Sequence, residues 1–147
     1  MLRRSFLSVA VLLFVPLTAQ SAEQMIVFKS ASCGCCIAWM KHLEANGFQV
    51  VGKNLPNVVL MQKKRAAGLR PDQSSCHTGQ IAGYTIEGHV PAREVRRLLS
   101  ERPDAIGLTV PDMPLGSPGM EAGDDKEPYD VLLLKKDGST EVFASYR

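Results

Sequence analysis

Three cysteines lie within four positions of the chain, at Cys33, Cys35 and Cys36. Cys33 and Cys36 are three residues apart, so at the N-terminus of a helix they would lie on one face. There the helix dipole and the free backbone N–H groups favour thiolates, which serve disulfide exchange or metal binding. Cys35 has no function in a simple dithiol exchange. Three closely spaced thiolates form a soft site, which favours Cu(I) and, less selectively, Zn(II).

Further candidate ligands are spread through the rest of the chain. Cys76 and His77 are adjacent in the segment SSCHTG, and His89 directly precedes a predicted helix. Met113 and Met120 lie in a long loop. Each also has a structural interpretation: Cys76 could be a disulfide partner, His77 could be exposed in a turn, and His89 could pack beside the helix. The methionines could fill the interior of the loop, so the residues alone leave both interpretations open.

The cysteines lie between a predicted strand and a predicted helix. The apolar segment MIVF, residues 25–28, predicts the strand. Apolar residues at helical spacing from Ile37 to Leu43 predict the helix, which Gly47 ends. We interpret His42, within this helix, as a structural or solvated residue.

Two more helices and a terminal hairpin complete the predicted elements. A strand at residues 48–55 leads into a helix at 57–68, in which the run Lys63-Lys64-Arg65 is interpreted as a solvated face. A third helix begins at Pro91, a residue that suits a first helical turn. Asp137-Gly138 between two strand-like runs is a strong β-hairpin signal.

The order of these elements resembles thioredoxin, with a strand, a cysteine turn at a helix N-terminus and a final hairpin. We predict an α/β, thioredoxin-like sandwich with an inserted segment around residues 71–90. The stretch 103–128 is rich in proline and glycine and is predicted as a long loop without secondary structure, a kind of loop that is often functional. In such folds a cis-proline loop faces the cysteine turn, and Pro111 is predicted to be that cis residue.

Residues 1–21 have the layout of a secretory signal peptide. Two arginines precede an apolar run at residues 6–17, and small and polar residues follow it. The run is 12 residues long, whereas a membrane-spanning helix needs about 20, so we predict export rather than a membrane anchor. Cleavage after Ser21 or Ala22 leaves one periplasmic domain, residues 22–147, in which no segment is apolar enough to span a bilayer.

The predicted mature domain is electrically balanced. The chain holds 17 lysines and arginines and 15 acidic residues, and residues 1–21 contain two of the arginines and no acid, which leaves 15 of each sign. Neutralising phosphates requires concentrated positive charge, so we predict no nucleic-acid partner. A domain of this length is large enough to form one compact core.

Several segments together resemble the CopG-like periplasmic proteins, a family associated with bacterial copper resistance. These segments are CGCC after a short strand, SCHT, IEGHVP, VPDMPLGSPGME and YDVLLLKKDG. The resemblance covers essentially the whole mature chain. It implies a thioredoxin-like fold that binds copper at the cysteine turn, in a cluster of several copper ions bridged by cysteines. The ligands that it implies, residue by residue, are Cys33, Cys35, Cys36, Cys76, His89 and Met120.

We therefore predict an exported copper-handling protein that binds Cu(I) through its cysteine cluster and contributes to copper resistance. This prediction is compatible with two activities. The protein could convert copper between oxidation states, which would make it an oxidoreductase acting on copper, or it could transfer copper to a partner. The expected partners are copper ions and other periplasmic copper proteins or an efflux system. The alternative is a periplasmic thiol–disulfide oxidoreductase that uses Cys33 and Cys36. A structural zinc domain is less favoured, because the proposed ligands lie on turns of a fold that can build its core without metal.

Overall fold

A computed structural model describes residues 24–147, and the signal peptide predicted for residues 1–21 lies outside the described residues. The elements of the described chain, in order, are β1 (Gln24–Lys29), α1 (Gly34–Ala45), β2 (Gln49–Asn54), α2 (Asn57–Ala66), a 3-10 helix (Pro71–Gln73), β3 (Thr78–Ile81), β4 (Tyr84–Glu87), α3 (Ala92–Glu101), β5 (Gly107–Thr109), β6 (Tyr129–Leu134) and β7 (Thr140–Tyr146). The strands form one sheet in the order β2-β1-β3-β4-β5-β6-β7. The predicted α/β class is confirmed, and the thioredoxin-like description stays a prediction.

The predicted helices are confirmed, and all three are short. α1 has 12 residues and is followed by Gly47, while α2 and α3 have 10 residues each. Pro91 is the N-cap residue of α3, directly before its first turn. Within residues 24–147, none of the helices combines the length and the apolar character that a bilayer crossing requires.

The predicted C-terminal hairpin is confirmed, and the segment predicted as an insertion forms the middle of the sheet. β6 and β7 pair antiparallel on either side of Asp137-Gly138. Residues 71–90 contain the 3-10 helix and the antiparallel hairpin of β3 and β4, which lies between β1 and β5. The segment just before β3, which carries Cys76 and His77, therefore approaches the sheet beside β1 and the cysteine turn.

Two predictions for the stretch 103–128 are wrong. The stretch is not free of secondary structure, because β5 forms within it and pairs with both β4 and β6. A strand of three residues is too short to give a recognisable alternating pattern. Pro111 does not follow a cis peptide bond, since residues 24–147 contain none. The trans form is the lower in energy for an X–Pro bond unless the surroundings enforce cis.

The main core lies between one face of the sheet and the helices α1 and α3. Trp39 and Leu43 of α1 and Leu98 of α3 are fully buried and pack with Val27 of β1 and Ile86 of β4. Neighbouring residues of a strand point to opposite faces of the sheet. Phe28 and Glu87 therefore face the other side, where α2 lies.

The contacts of α2 with this second face overturn the prediction of a solvated Lys63-Lys64-Arg65 run. Lys63 lies half-buried with its ammonium 3.9 Å from the ring centroid of Phe28. Lys64 is only 2% exposed and forms an ion pair with the fully buried Glu87. Of the three, only Arg65 is exposed. The helix turns Lys64 toward the sheet, and its long side chain reaches a buried carboxylate there.

Candidate metal centre

Four cysteine sulfurs converge at the N-terminus of α1. Cys33 is the N-cap residue of the helix, and its Sγ accepts a hydrogen bond of 3.3 Å from the backbone N–H of Cys36. Cys76 reaches the same point from the segment before β3. The sulfur–sulfur distances are 3.5 Å for Cys33 and Cys35, 3.7 Å for Cys35 and Cys76, and 3.6 Å for Cys36 and Cys76. All four sulfurs lie within 4.8 Å of one another, so a single ion could contact several of them.

Two of these cysteines are oxidised. Cys33 and Cys36 are joined by a disulfide, with their Cα atoms 5.3 Å apart, whereas Cys35 and Cys76 are free and half-buried. The interpretation of Cys76 as a disulfide partner is therefore wrong for this state. Metal ions bind thiolates, so a centre that uses all four sulfurs requires reduction of this disulfide by two electrons.

His89 presents one ring nitrogen to the cysteines. Its Nε2 lies 3.2 Å from the Sγ of Cys76, and its Nδ1 lies 2.9 Å from the backbone carbonyl O of Pro118. A carbonyl only accepts hydrogen bonds, so Nδ1 carries the proton and Nε2 holds the lone pair. Burial lowers the pKa of His89, which keeps the imidazole neutral. The ring is thus oriented with the lone pair of Nε2 toward the cysteines, and outer hydrogen bonds of this kind orient the ligating histidines of metal sites.

His77 is fully buried, which overturns its interpretation as an exposed turn residue. Its ring centroid lies 4.3 Å from that of Trp39 and 5.0 Å from that of His89, and its Nδ1 lies 3.2 Å from the Sγ of Cys76. Its Nε2 has no hydrogen-bond partner among the described residues. Burial is the main cause that lowers the pKa of His77 well below its usual value, and the nearby positive charge of Lys64 adds to it.

The unpaired Nε2 of His77 helps to decide whether the cysteine sulfurs and histidine nitrogens suit a metal ion. Buried side-chain nitrogens nearly always have a hydrogen-bond partner. Here Nε2 of a buried neutral imidazole lacks a partner while Nδ1 of the same ring faces the Sγ of Cys76, and the ligand atoms of Cys76, His77 and His89 lie within 4.8 Å of one another. Sulfur and imidazole donors at this spacing suit soft or borderline metal ions. The residues present therefore fit a copper or zinc ion better than a hard, oxygen-seeking one.

Burial also controls the protonation of Cys76. Desolvation, with a further contribution from the neighbouring Cys35, raises the pKa of the Cys76 thiol to about 12. Without metal, this residue is a neutral thiol at physiological pH. A metal ion would have to displace its proton, and the charge of the ion would then stabilise the thiolate that burial disfavours.

The loop after β5 packs directly on the cysteine helix, which confirms that this loop faces the cysteine turn. At Gly119, where φ is +87°, an added Cβ would lie 2.6 Å from the backbone N of Trp39 and 2.8 Å from the carbonyl O of Cys35. Glycine is required for so close an approach at a positive φ. The preceding residue, Pro118, supplies the carbonyl that orients His89.

The structure brings together five of the six ligands predicted from the sequence, namely Cys33, Cys35, Cys36, Cys76 and His89. The sixth, Met120, is half-buried directly after Gly119, and its role as a ligand stays a prediction. Met113 is 46% exposed. His77, which is not among the six predicted ligands, also lies in a group with Cys76 and His89. Its position next to Cys76 in the sequence was the signal that could have indicated this.

His42 has a structural role, which is one of the two alternatives that its place in the sequence left open. Its Nε2 accepts a hydrogen bond of 3.1 Å from the backbone N–H of Ala92, the first residue of α3. The first N–H groups of a helix have no partner within the helix, so this imidazole acts as a cap supplied by another element. Burial lowers the pKa of His42, which keeps the accepting nitrogen unprotonated.

The fold and the centre define a small α/β protein with a cluster of thiols and imidazoles close enough together to hold soft metal ions. A family described as "Protein of unknown function, DUF411" matches residues 73–120, which include Cys76 and His89. The chain belongs to the CopG family of copper resistance proteins.

Two solved structures of the copper resistance protein CopG, described as Form 1 and Form 2, establish this membership. Form 1 is 44% identical to this chain and Form 2 is 43% identical, and each comparison covers 86% of this chain with a TM-score of 0.80. The matched region spans 98% of the Form 1 chain and 100% of the Form 2 chain. No curated protein sequence matches the chain.

Proposed function

We propose that this protein handles copper in the periplasm and contributes to copper resistance by binding Cu(I) through its cysteine cluster. The observation that carries the proposal is the convergence of the sulfurs of Cys33, Cys35, Cys36 and Cys76 within 4.8 Å of one another. Thiolates select soft ions such as Cu(I) over Mg(II) or Mn(II). The names of the two similar structures, both copper resistance proteins, favour copper over zinc.

The ligand set would have a sulfur-rich part and an imidazole-rich part that share one residue. Cys76 belongs both to the group of four cysteines and to the group that it forms with His77 and His89. A thiolate can bridge two metal ions, so we expect more than one Cu(I) per chain, with Cys76 among the bridging residues. Met120 is the proposed thioether ligand from the neighbouring loop. Bound copper supplies a one-electron couple between Cu(I) and Cu(II).

The burial of the donors supports a role in copper transfer. Cys33 and Cys35 are half-buried, and Gly34 between them is exposed, so one side of the cluster lies at the protein surface. His77 and His89 are fully buried on the other side. A partner could therefore approach the sulfur side while the imidazoles remain shielded from water. Other periplasmic copper proteins or an efflux system are the proposed partners.

Export is the second part of the proposal and rests on residues 1–21, which have the order of charges, apolar residues and small residues of a signal peptide. The mature protein should begin at Ala22 or Glu23, and N-terminal sequencing of protein purified from the periplasm tests this. Recovery of the chain with Met1 intact in the membrane fraction would overturn it.

A thiol–disulfide oxidoreductase is the second candidate, and the disulfide between Cys33 and Cys36 favours it. Cys33 lies at the N-terminus of a helix, where the dipole stabilises a thiolate. This pair could exchange electrons with a partner dithiol without any metal. Cys35 distinguishes the two functions, because an exchange between Cys33 and Cys36 does not need a third sulfur.

The experiment compares the wild-type protein with Cys35→Ser and Cys33→Ser. Cu(I) stoichiometry after anaerobic reconstitution and disulfide reductase activity are measured on each protein. In the copper centre, either substitution should remove much of the bound copper, and the losses should not be additive because the sulfurs act together. Full copper binding by Cys35→Ser, with reductase activity lost in Cys33→Ser, would replace the copper proposal with the oxidoreductase.

A further inference from the structure

A buried polar network lies on the α2 side of the sheet, directly beneath the segment that carries Cys76 and His77. Lys64 is 2% exposed, and Thr78 and Glu87 are fully buried. Lys64 forms an ion pair with Oε1 of Glu87, and its Nζ donates to Oγ1 of Thr78 at 2.9 Å. Thr78 and Glu87 are paired across β3 and β4, so α2 is tied to both strands at once.

The carboxylate of Glu87 also binds the backbone next to the copper ligands. Its Oε1 accepts a hydrogen bond of 2.7 Å from the backbone N–H of Ser75, and its Oε2 accepts one of 2.7 Å from Oγ1 of Thr78. Ser75 and Thr78 flank the Cys76-His77 pair on its two sides. Glu87 itself lies two residues before His89. One carboxylate thus connects the backbone around three candidate ligands without contributing a ligand.

A gain in folding stability does not by itself explain why Lys64 and Glu87 are buried as an ion pair. Removing two charges from water is costly, and replacing a buried ion pair with apolar residues of similar size is often neutral or stabilising. Outer hydrogen bonds around metal ligands have a different role, because they fix the orientation of the ligands, and their loss typically lowers metal affinity by about 10–100-fold.

We propose that the network of Lys64, Glu87 and Thr78 positions Cys76, His77 and His89 for copper. The carboxylate of Glu87 is the positioning group, and Lys64 neutralises it inside the protein. This inference rests on the proposed copper function and adds residues that the cysteine and histidine motifs do not include.

Two double variants separate the hydrogen bonds of Glu87 from its charge. Both carry Lys64→Met, so neither leaves an unpaired lysine in the interior. In Lys64→Met/Glu87→Gln, the amide oxygen can still accept from the N–H of Ser75, and the amide nitrogen can donate to Thr78. In Lys64→Met/Glu87→Leu, a side chain of similar size accepts nothing. The Gln variant should bind Cu(I) within about 3-fold of wild type, and the Leu variant about 10–100-fold more weakly.

A buried carboxylate outside the network provides the matched control. Glu94 is 2% exposed and accepts hydrogen bonds from Nε of Arg93 at 2.8 Å and from the hydroxyl of Tyr146 at 2.9 Å. Glu94→Gln should lower the midpoint of thermal unfolding and leave the Cu(I) affinity unchanged. It shows whether loss of a buried carboxylate, by itself, alters copper binding.

Cu(I) affinity is measured by chelator competition at a temperature where every variant is folded, together with the absorption of the thiolate–Cu(I) bonds per bound copper. Equal affinities for the Gln and Leu variants would overturn the positioning role. If the Leu variant shows no cooperative unfolding, Thr78→Val decides in its place: weaker binding supports the role, and wild-type affinity overturns it. Failure of the wild-type protein to bind copper would instead contradict the proposed function itself.

Discussion

Replacing Gly119 with alanine tests whether close packing of its loop on α1 is needed for the copper centre. The backbone at Gly119 has φ +87°, and a Cβ would lie 2.6 Å from the N of Trp39 and 2.8 Å from the O of Cys35. The left-handed conformation costs alanine about 1–2 kcal/mol. Overlap with backbone atoms, which cannot rotate away, adds about 1–3 kcal/mol. The free energy of unfolding should therefore fall by about 2–5 kcal/mol.

Gly83→Ala is the matched control for the backbone strain. Gly83 lies in the turn between β3 and β4 with φ +84°, and among residues 24–147 no atom beyond its chain neighbours lies within 4 Å of the position that its Cβ would take. Only the conformational cost of about 1–2 kcal/mol applies there. The difference between the two variants therefore measures the contact between the loop and α1.

Copper binding provides the second measurement on these variants. If the loop moves to relieve the overlap, the carbonyl of Pro118 leaves Nδ1 of His89, and the ring loses the bond that orients it. Cu(I) affinity in a chelator competition should fall by about 10–100-fold for Gly119→Ala and stay unchanged for Gly83→Ala. Urea titrations give the unfolding free energies. Identical results for the two variants in both assays would refute the reasoning.

Three further predictions concern the histidines. His89→Ala should weaken Cu(I) binding less than Cys35→Ser in a chelator competition, because it removes one proposed terminal ligand, whereas Cys35 belongs to the group of four sulfurs proposed to bind copper together; a larger loss would contradict this. His42→Ala removes the acceptor of the Ala92 N–H and should lower the unfolding free energy by about 1 kcal/mol in urea titrations, with unchanged copper stoichiometry. Burial lowers the pKa of His42, so this residue takes up a proton when the metal-free protein unfolds at a pH below 6.5. The free energy of unfolding should therefore decrease as the pH falls below that value. His42→Gln should reduce that slope; an unchanged slope would exclude His42 as its source.

The local elements could be predicted because their signals are local. Gly47 ends α1, Pro91 precedes α3 and Asp137-Gly138 turns the last hairpin, and each residue acts through its own backbone preference. The cysteine cluster could be predicted for the same reason, since Cys33, Cys35 and Cys36 are neighbours in the chain.

The features that the sequence did not reveal depend on contacts between distant segments. Lys64 looks like its neighbours in a charged run, and only the position of Glu87 beneath it explains why it is buried. The sequence left His77 open between a candidate ligand and an exposed turn residue, and its burial results from packing on Trp39 and His89. β5 has too few residues for a pattern of its own and forms because β4 and β6 lie on either side of it.

Anaerobic reconstitution of the fully reduced mature protein with Cu(I) tests the central claim most directly. Bound copper per chain is measured after competition with a Cu(I) chelator, beside a count of reactive thiols on the same sample. We predict retention of more than one copper ion per chain, with the thiols of Cys33, Cys35, Cys36 and Cys76 protected from the thiol reagent. Loss of all copper to the chelator, with all four thiols shown to be free, would contradict the account.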